Sequence, residues 1–254
     1  MFVDTHSHIY SEEFSSDRNE VIARALNAHV NRFILPNIDS STIKSMLDLA
    51  DSDPKLFIPL IGLHPTSVKD DFHRELEIME YWLDKLNFSG IGEIGIDLYW
   101  DKAFINEQIE AFRIQIGWAK KRRIPVVIHV RDSFQEVIEV IIQEKEDTLS
   151  GVFHSFTGTV EQAEQVIDLG FKIGIGGIVT YKNSGLDTTV QQISLRHILL
   201  ETDSPWLAPV PNRGHRNECA FITAIAAKIA SLHQTTIEEV ARITTQNAQQ
   251  LFGF

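Results

Sequence analysis

The sequence predicts a single (β/α)₈ barrel spanning residues 1–254, and three observations lead there. Its 254 residues match the about 250 typical of that fold. Eight short apolar or β-branched runs recur about 30 residues apart, the length of one βαβ unit. Between them the apolar residues switch to a helical period. Eight such alternations suit a closed barrel better than an open sheet.

In order, the predicted strands are Phe2 to Asp4, Arg32 to Pro36, Phe57 to Gly62, Gly90 to Asp97, Pro125 to His129, Gly151 to Ser155, Phe171 to Ile175 and His197 to Thr202. The clearest helix lies before Pro125: Ile105, Ile109, Phe112, Ile116 and Ala119 fall on one face. It ends in the basic run Lys120 to Arg123, where cations suit the helix C-terminus. Near the chain's end, Thr235 and Glu238 make a capping-box pattern ahead of Ile237, Val240 and Ala241. A dinucleotide-binding reading fails: Gly174, Gly176 and Gly177 begin a glycine fingerprint, but Val179 stands at its last position.

With 43% hydrophobic and 23% charged residues the composition is that of an ordinary globular protein. A net charge of −12 and a pI near 5.2 argue against a broad basic surface for nucleic acid. They leave room for a nuclease in which bound divalent metals supply the positive charge. The single cysteine, Cys219, excludes an intrachain disulfide and a cysteine-based zinc site. The N-terminal stretch is not a signal peptide, and no apolar run approaches the ~20 residues needed to cross a bilayer. A soluble, cytoplasmic protein is expected.

Barrel active sites form at the C-terminal ends of the strands, and that is where the chemistry of this sequence collects. The first strand runs into Asp4-Thr5-His6-Ser7-His8, the third into Gly62-Leu63-His64-Pro65, and the fourth carries Gly92-Glu93-Ile94-Gly95-Ile96-Asp97. The fifth ends in His129-Val130-Arg131-Asp132, the sixth in His154-Ser155-Phe156-Thr157-Gly158, the eighth in Glu201-Thr202-Asp203-Ser204-Pro205. Residues two apart in an extended strand share a face, so His6 and His8 can reach one cation, with Asp203 beside them once the barrel closes. Glu93, His129 and His154 can form a second cluster, the two glutamate oxygens bridging both. Two metals roughly 3.5–4 Å apart would clamp the attacking and leaving oxygens of an in-line phosphoryl displacement. Burying so many polar groups without a cation would be costly. His29, His73 and His233 read as solvated surface, and His197 as structural.

These motifs in this order, followed by Pro211-Asn212-Arg213-Gly214-His215-Arg216-Asn217-Glu218 and the closing Asn247-Ala248 with Leu251-Phe252, resemble the TatD family of metal-dependent deoxyribonucleases over essentially the whole chain. The resemblance implies a barrel enzyme with two divalent cations (Mg, Mn or Zn), often a 3′→5′ exonuclease, acting on DNA through a metal-activated water. Its metal positions correspond to His6, His8, Glu93, His129, His154 and Asp203. The chain departs from the family's pattern at Ser7, where Cys is usual, at Ser155-Phe156-Thr157, where Cys-Phe-Ser is usual, and at Cys219, where Pro commonly follows Arg-Asn-Glu. Gly95-Ile96-Asp97-Leu98-Tyr99 differs slightly from the usual Gly-Leu-Asp-Tyr. None of these changes removes a candidate ligand.

As catalytic residues the expectation names Asp203, the proton acceptor, with Glu93 and His64; His64 is assigned to substrate phosphate or proton transfer. Arg131, Arg213 and Arg216 are candidates to hold phosphate oxygens, against a reading as solvated loop arginines; His215 is open in the same way. Tyr99 and Trp100 either stack a base or pack a helix. The main alternative is an amidohydrolase cleaving a C–N or ester bond; such sites often carry a carboxylated lysine on the fourth strand, where this chain offers Glu93. A non-catalytic binding relative is the third reading.

Overall fold

The computed structural model describes residues 1–254. Eight parallel strands follow one another in space as in sequence: β1 (Phe2–Asp4), β2 (Val30–Leu35), β3 (Phe57–Pro59), β4 (Ile91–Asp97), β5 (Val126–Arg131), β6 (Gly151–Phe153), β7 (Lys172–Ile175) and β8 (Ile198–Leu200). The ladder is continuous within β1–β3 and within β4–β8. At the two seams it reduces to single parallel bridges, Ile61 with Ile91 and Ser7 with Ser204, supported by Thr5 N–H to Leu200 O and His8 N–H to Ser204 O.

Helices α1 (Arg18–Asn27), α2 (Ile43–Ser52), α3 (Phe72–Lys85), α4 (Ile105–Arg122), α5 (Phe134–Glu144), α6 (Val160–Asp168), α7 (Leu186–Gln192), α8 (Ile222–Leu232) and α9 (Ile237–Phe252) surround the strands. No helix is long and apolar enough to cross a membrane. Each predicted strand overlaps an observed one: β1 keeps its bounds, β2 begins earlier at Val30, β5 runs on to Arg131, and the other five are shorter than expected; His197 falls in a 3₁₀ turn (Leu195–His197) just before β8. The cap of α9 also moves by one residue. Thr235 gives its N–H to Ala230 O at the end of α8, so Thr236 caps α9 and accepts from Glu239 N–H.

The sequence places chemistry above packing by simple strand alternation. Val127, Val152 and Leu199 belong to an apolar cluster inside the ring with Val3, Ile34, Ile58 and Leu60. Two residues further along the same strands stand His129, His154 and Glu201, roughly 6–7 Å higher on the same face. The flanking Val126, Ile128, Phe153, Ile198 and Leu200 point outward into the main helix-packed core. From below, Ala248 and Phe252 of α9 close the apolar cluster. Asn247 fixes α9 by donating to Leu195 O and Ile198 O, each at 2.8 Å, which accounts for the closing Asn-Ala and Leu-Phe pairs.

Helix α4 contributes more than apolar packing. Gln108 and Gln115, seven apart on its buried face, each clamp a backbone peptide. Gln108 accepts from Asp97 N–H at 2.8 Å and donates to Asp97 O at 3.2 Å. Gln115 accepts from Leu63 N–H at 2.7 Å and donates to Leu63 O at 3.3 Å. A buried amide without partners would be costly; here both set the positions of residues at the mouth.

Candidate metal centre

The mouth of the barrel opens into a cavity of about 400 Å³ whose lining includes His8, His64, Glu93, His129, His154 and Asp203. Glu93, buried on β4, is its centre. Its Oε2 lies 2.9 Å from His6 Nε2 and 3.7 Å from His8 Nε2. Its Oε1 lies 2.8 Å from His129 Nδ1, 3.3 Å from His64 Nε2 and 3.4 Å from His154 Nε2. Asp203 Oδ1 stands 3.8 and 3.9 Å from the Nε2 atoms of His6 and His8. The residues expected to bind metal thus come together, around two oxygens of one carboxylate.

The donor set fits divalent cations. Three groups of potential ligand atoms, His6–His8–Asp203, His6–Glu93–His154 and His64–Glu93–His129, each lie within 4.8 Å of one another. His6 Nε2 and His8 Nε2 face each other at 3.2 Å, and two lone pairs at that distance call for a shared proton or a cation. Buried His6 Nδ1, His154 Nδ1 and Glu201 Oε2 have no hydrogen-bond partner. Imidazole and carboxylate together suit Zn²⁺ or Mn²⁺ better than Mg²⁺.

Partners on the far side of each ring decide which nitrogen is free. Tyr10 donates its hydroxyl to Pro36 O at 2.6 Å, so its oxygen accepts from His8 Nδ1–H at 3.0 Å and the lone pair of His8 sits on Nε2. Asp97 accepts from His129 Nε2 at 2.9 Å, leaving Nδ1 facing Glu93. Glu201 Oε1 lies 3.0 Å from His154 Nδ1, close but poorly directed for a hydrogen bond, and it also accepts from Ser155 N–H. His64 differs. Its Nδ1 accepts from Thr66 N–H at 3.1 Å, which puts the proton of the neutral ring on Nε2, inside the cavity. That tautomer makes His64 a hydrogen-bond donor rather than a ligand.

Proton affinities follow burial and charge. Burial raises the Glu93 carboxyl, but His154, His6 and His64 around it prevail and hold it well below the usual range. Burial lowers His129, yet its bonds to Asp97 and Glu93 bring it up to about 9. His154 falls to about 4 through burial. Burial pushes Glu201 up to about 7, and burial, then Glu93 and Glu201, push Asp203 well above an ordinary carboxylate.

The backbone at the mouth is strained in the left-handed region at Asp132 (φ 54°), Ser155 (φ 46°), Asp203 (φ 57°) and Leu207 (φ 55°), the kind of strain that collects at functional sites. Interior glycines make room below. A Cβ on Gly174 would stand 2.3 Å from Glu201 Oε2.

A family model described as TatD related DNase matches residues 3–253. The chain belongs to the TatD-related DNase family. It is 36% identical over 257 residues to the metal-dependent hydrolase YabD of Bacillus subtilis (strain 168), covering 99% of each chain. It is 33% identical to the metal-dependent hydrolase YcfH of Escherichia coli K12, covering 98% of this chain and 95% of that one. The crystal structure of YjjV, a TatD homologue from E. coli K12, superposes with a TM-score of 0.93 at 28% identity, over 100% of this chain and 98% of that one. The chain is therefore a metal-dependent hydrolase with the TatD barrel fold.

Two departures from the TatD pattern touch each other. Ser7 Oγ lies 3.1 Å from Cys219 Sγ and 2.9 Å from Ser204 Oγ, in a buried polar knot across the β1–β8 seam. Asp4 tightens the same seam, accepting from Thr202 N–H at 2.9 Å and Thr202 Oγ1 at 2.6 Å.

The three arginines separate. Arg131 lines the cavity and stacks over Tyr99, 3.8 Å from the ring centroid, with Trp100 at 5.3 Å. Arg213 lies outside that lining, over Tyr181 at 4.4 Å. Arg216 is engaged elsewhere: it donates to both oxygens of Asp17 at 2.8 and 2.6 Å and to Glu13 O. That corrects the expectation of a phosphate contact, because its donors clamp the segment after β8 onto α1. His215 is exposed and does not line the cavity. His29 and His73 are exposed as expected; His233 is half-buried and hydrogen-bonds Val190 O at 2.8 Å, so it packs rather than being fully solvated. Tyr10, Asp97, Glu201 and Trp206 stand at the site without having been among the candidates the sequence offers. Glu201 carried a signal, standing two residues before Asp203 in a strand-end motif.

Proposed function

We propose that this chain is a two-cation deoxyribonuclease that hydrolyses phosphodiester bonds and shortens DNA from its 3′ end. The observation that carries the reading is the division of Glu93, with Oε2 on the His6–His8 side and Oε1 on the His129–His154 side. Two cations bound there would supply Lewis-acid charge for an in-line displacement at phosphorus and ease deprotonation of the attacking water. His6, His8 and Asp203 would hold one, His129 and His154 the other, with Glu93 shared. The family description supports DNA as substrate, and the 3′ polarity follows the sequence resemblance.

The chain's own groups divide the remaining work. Asp203, 13% exposed at the cavity wall, accepts the proton of the attacking water. His64, with its proton on Nε2, donates to a phosphate oxygen or to the leaving group. Arg131 offers in-plane N–H groups to phosphate while its face rests on Tyr99. No lysine lines the cavity, which sets it apart from sites built on a carboxylated lysine.

Chelator-stripped protein given an end-labelled single-stranded oligonucleotide, with and without Mg²⁺, Mn²⁺ or Zn²⁺, tests the proposal. A metal-restored ladder receding from the 3′ end is expected. Folded, metal-binding protein that cuts no DNA with any of these ions would overturn it in favour of C–N or ester bonds of small molecules.

A further inference from the structure

Most large apolar side chains are buried, yet the rim of the metal cavity exposes Trp100 (68%), Tyr99 (54%), Trp206 (44%) and Leu207 (39%). They form two walls. Trp206 and Leu207 come from the segment after β8, and Trp100 with Arg131 from the ends of β4 and β5; all four line the cavity together with Glu93 and Asp203. Exposed aromatic surface grouped at a charged cavity calls for an explanation that scattered exposed residues do not.

Neither wall is a loose loop tip. Trp206 donates its N–H to Asp203 O at 2.8 Å and accepts at its carbonyl from Asn217 Nδ2 at 2.6 Å. Its indole rests edge-on against His8, centroids 4.9 Å apart. Tyr181 donates to Ala208 O at 2.9 Å. A Cβ on Gly177 would stand 2.1 Å from Leu207 O, so glycine there admits the segment. Leu207 holds φ 55°, strain that its surroundings must impose. On the other wall Arg131 forms no ion pair, in a chain with 35 acidic and 23 basic residues; its face lies on Tyr99, and its N–H edges are open.

We propose that the Trp206–Leu207 and Trp100–Arg131 walls form a nucleobase-binding subsite, which holds an unpaired base by aromatic and apolar contact beside the phosphate to be cleaved. This rests on the nuclease reading and adds which part of the nucleotide is recognised. Every base has a π-face, so such a subsite selects for the presence of a base rather than its identity. Arg131 takes the neighbouring phosphate.

The test compares two 5′-labelled single-stranded oligonucleotides of equal length, one ending in thymidine and one in an abasic residue with the same phosphates. Wild type, Trp206→Ala and Trp206→Phe are measured for kcat/KM and for bound metal. Wild type is expected to prefer the intact end by roughly 5- to 160-fold, the range of one base–aromatic stack. Trp206→Ala should lose most of that preference with unchanged metal content, and Trp206→Phe should restore much of it. Equal cleavage of both substrates by wild type, or a preference that survives Trp206→Ala, would overturn the subsite and leave the nuclease standing. No cleavage of either by metal-loaded wild type would overturn the nuclease reading, and the subsite with it.

Discussion

Two layers inside one barrel, two residues apart along the same strands, obey opposite rules. Val127, Val152 and Leu199 form a dry layer closed below by Phe252, and their contribution is burial, about 1.5–3 kcal/mol for each side chain. One alternation higher, His129, His154 and Glu201 crowd around Glu93, where desolvation opposes charge and nitrogens face one another across 3.2 Å. The lower layer stabilises the ring. The upper one spends that stability on a site that a cation completes. The seam between β1 and β8 belongs to both, since Asp4, Ser7, Ser204 and Cys219 are buried polar residues that hold His6, His8 and Asp203 in register.

The comparison breaks if damage to either layer has the effect assigned to the other. The largest change is expected from Glu93→Gln, which removes the charge shared by both ligand groups; metal-dependent turnover should fall on the order of 10³-fold, with the circular dichroism spectrum unchanged. In the lower layer, Leu199→Ala should lower unfolding free energy by about 2–5 kcal/mol in urea titration, while the folded fraction keeps its turnover. A loss of turnover without a loss of stability would reverse the assignment. Glu201→Gln sharpens the boundary, because Glu201 reaches the site through His154; a fall of about 10- to 100-fold in metal affinity or activity is expected. Gly174→Ala should act in the same direction by displacing that carboxylate, and metal binding and turnover both unaltered in the two variants would show that Glu201 does not support the site. The smallest effect belongs to Arg216→Ala, whose pair with Asp17 is about one-third exposed on both sides. It should cost less than about 1 kcal/mol, and kcat should not change; a large fall in kcat would reinstate Arg216 at the substrate.

Strand alternation made much of this legible. The eight apolar runs marked the strands because each contains outward residues of the main core. The polar residue closing a run marked the mouth because only a site tolerates it there. Helix periodicity gave α4 its apolar face but hid Gln108 and Gln115, whose partners, Asp97 and Leu63, lie on other elements. The far-side partners of the ligand histidines were hidden for the same reason, since Tyr10 and Asp97 become partners only through the fold. Arg216 was misplaced because a sequence shows that an arginine follows the eighth strand, not that Asp17 on the approach to α1 meets it. The cap of α9 moved because Thr235 was already committed to α8.

The proposed two-cation nuclease requires that Glu93 divide the mouth into two cation sites. Metal content per chain, measured after equilibrium dialysis of stripped wild-type protein and Glu93→Gln against Zn²⁺ or Mn²⁺, tests it most directly. Two ions per wild-type chain and at most one in the variant are predicted. A single ion in wild type, or two retained by the variant, would contradict it.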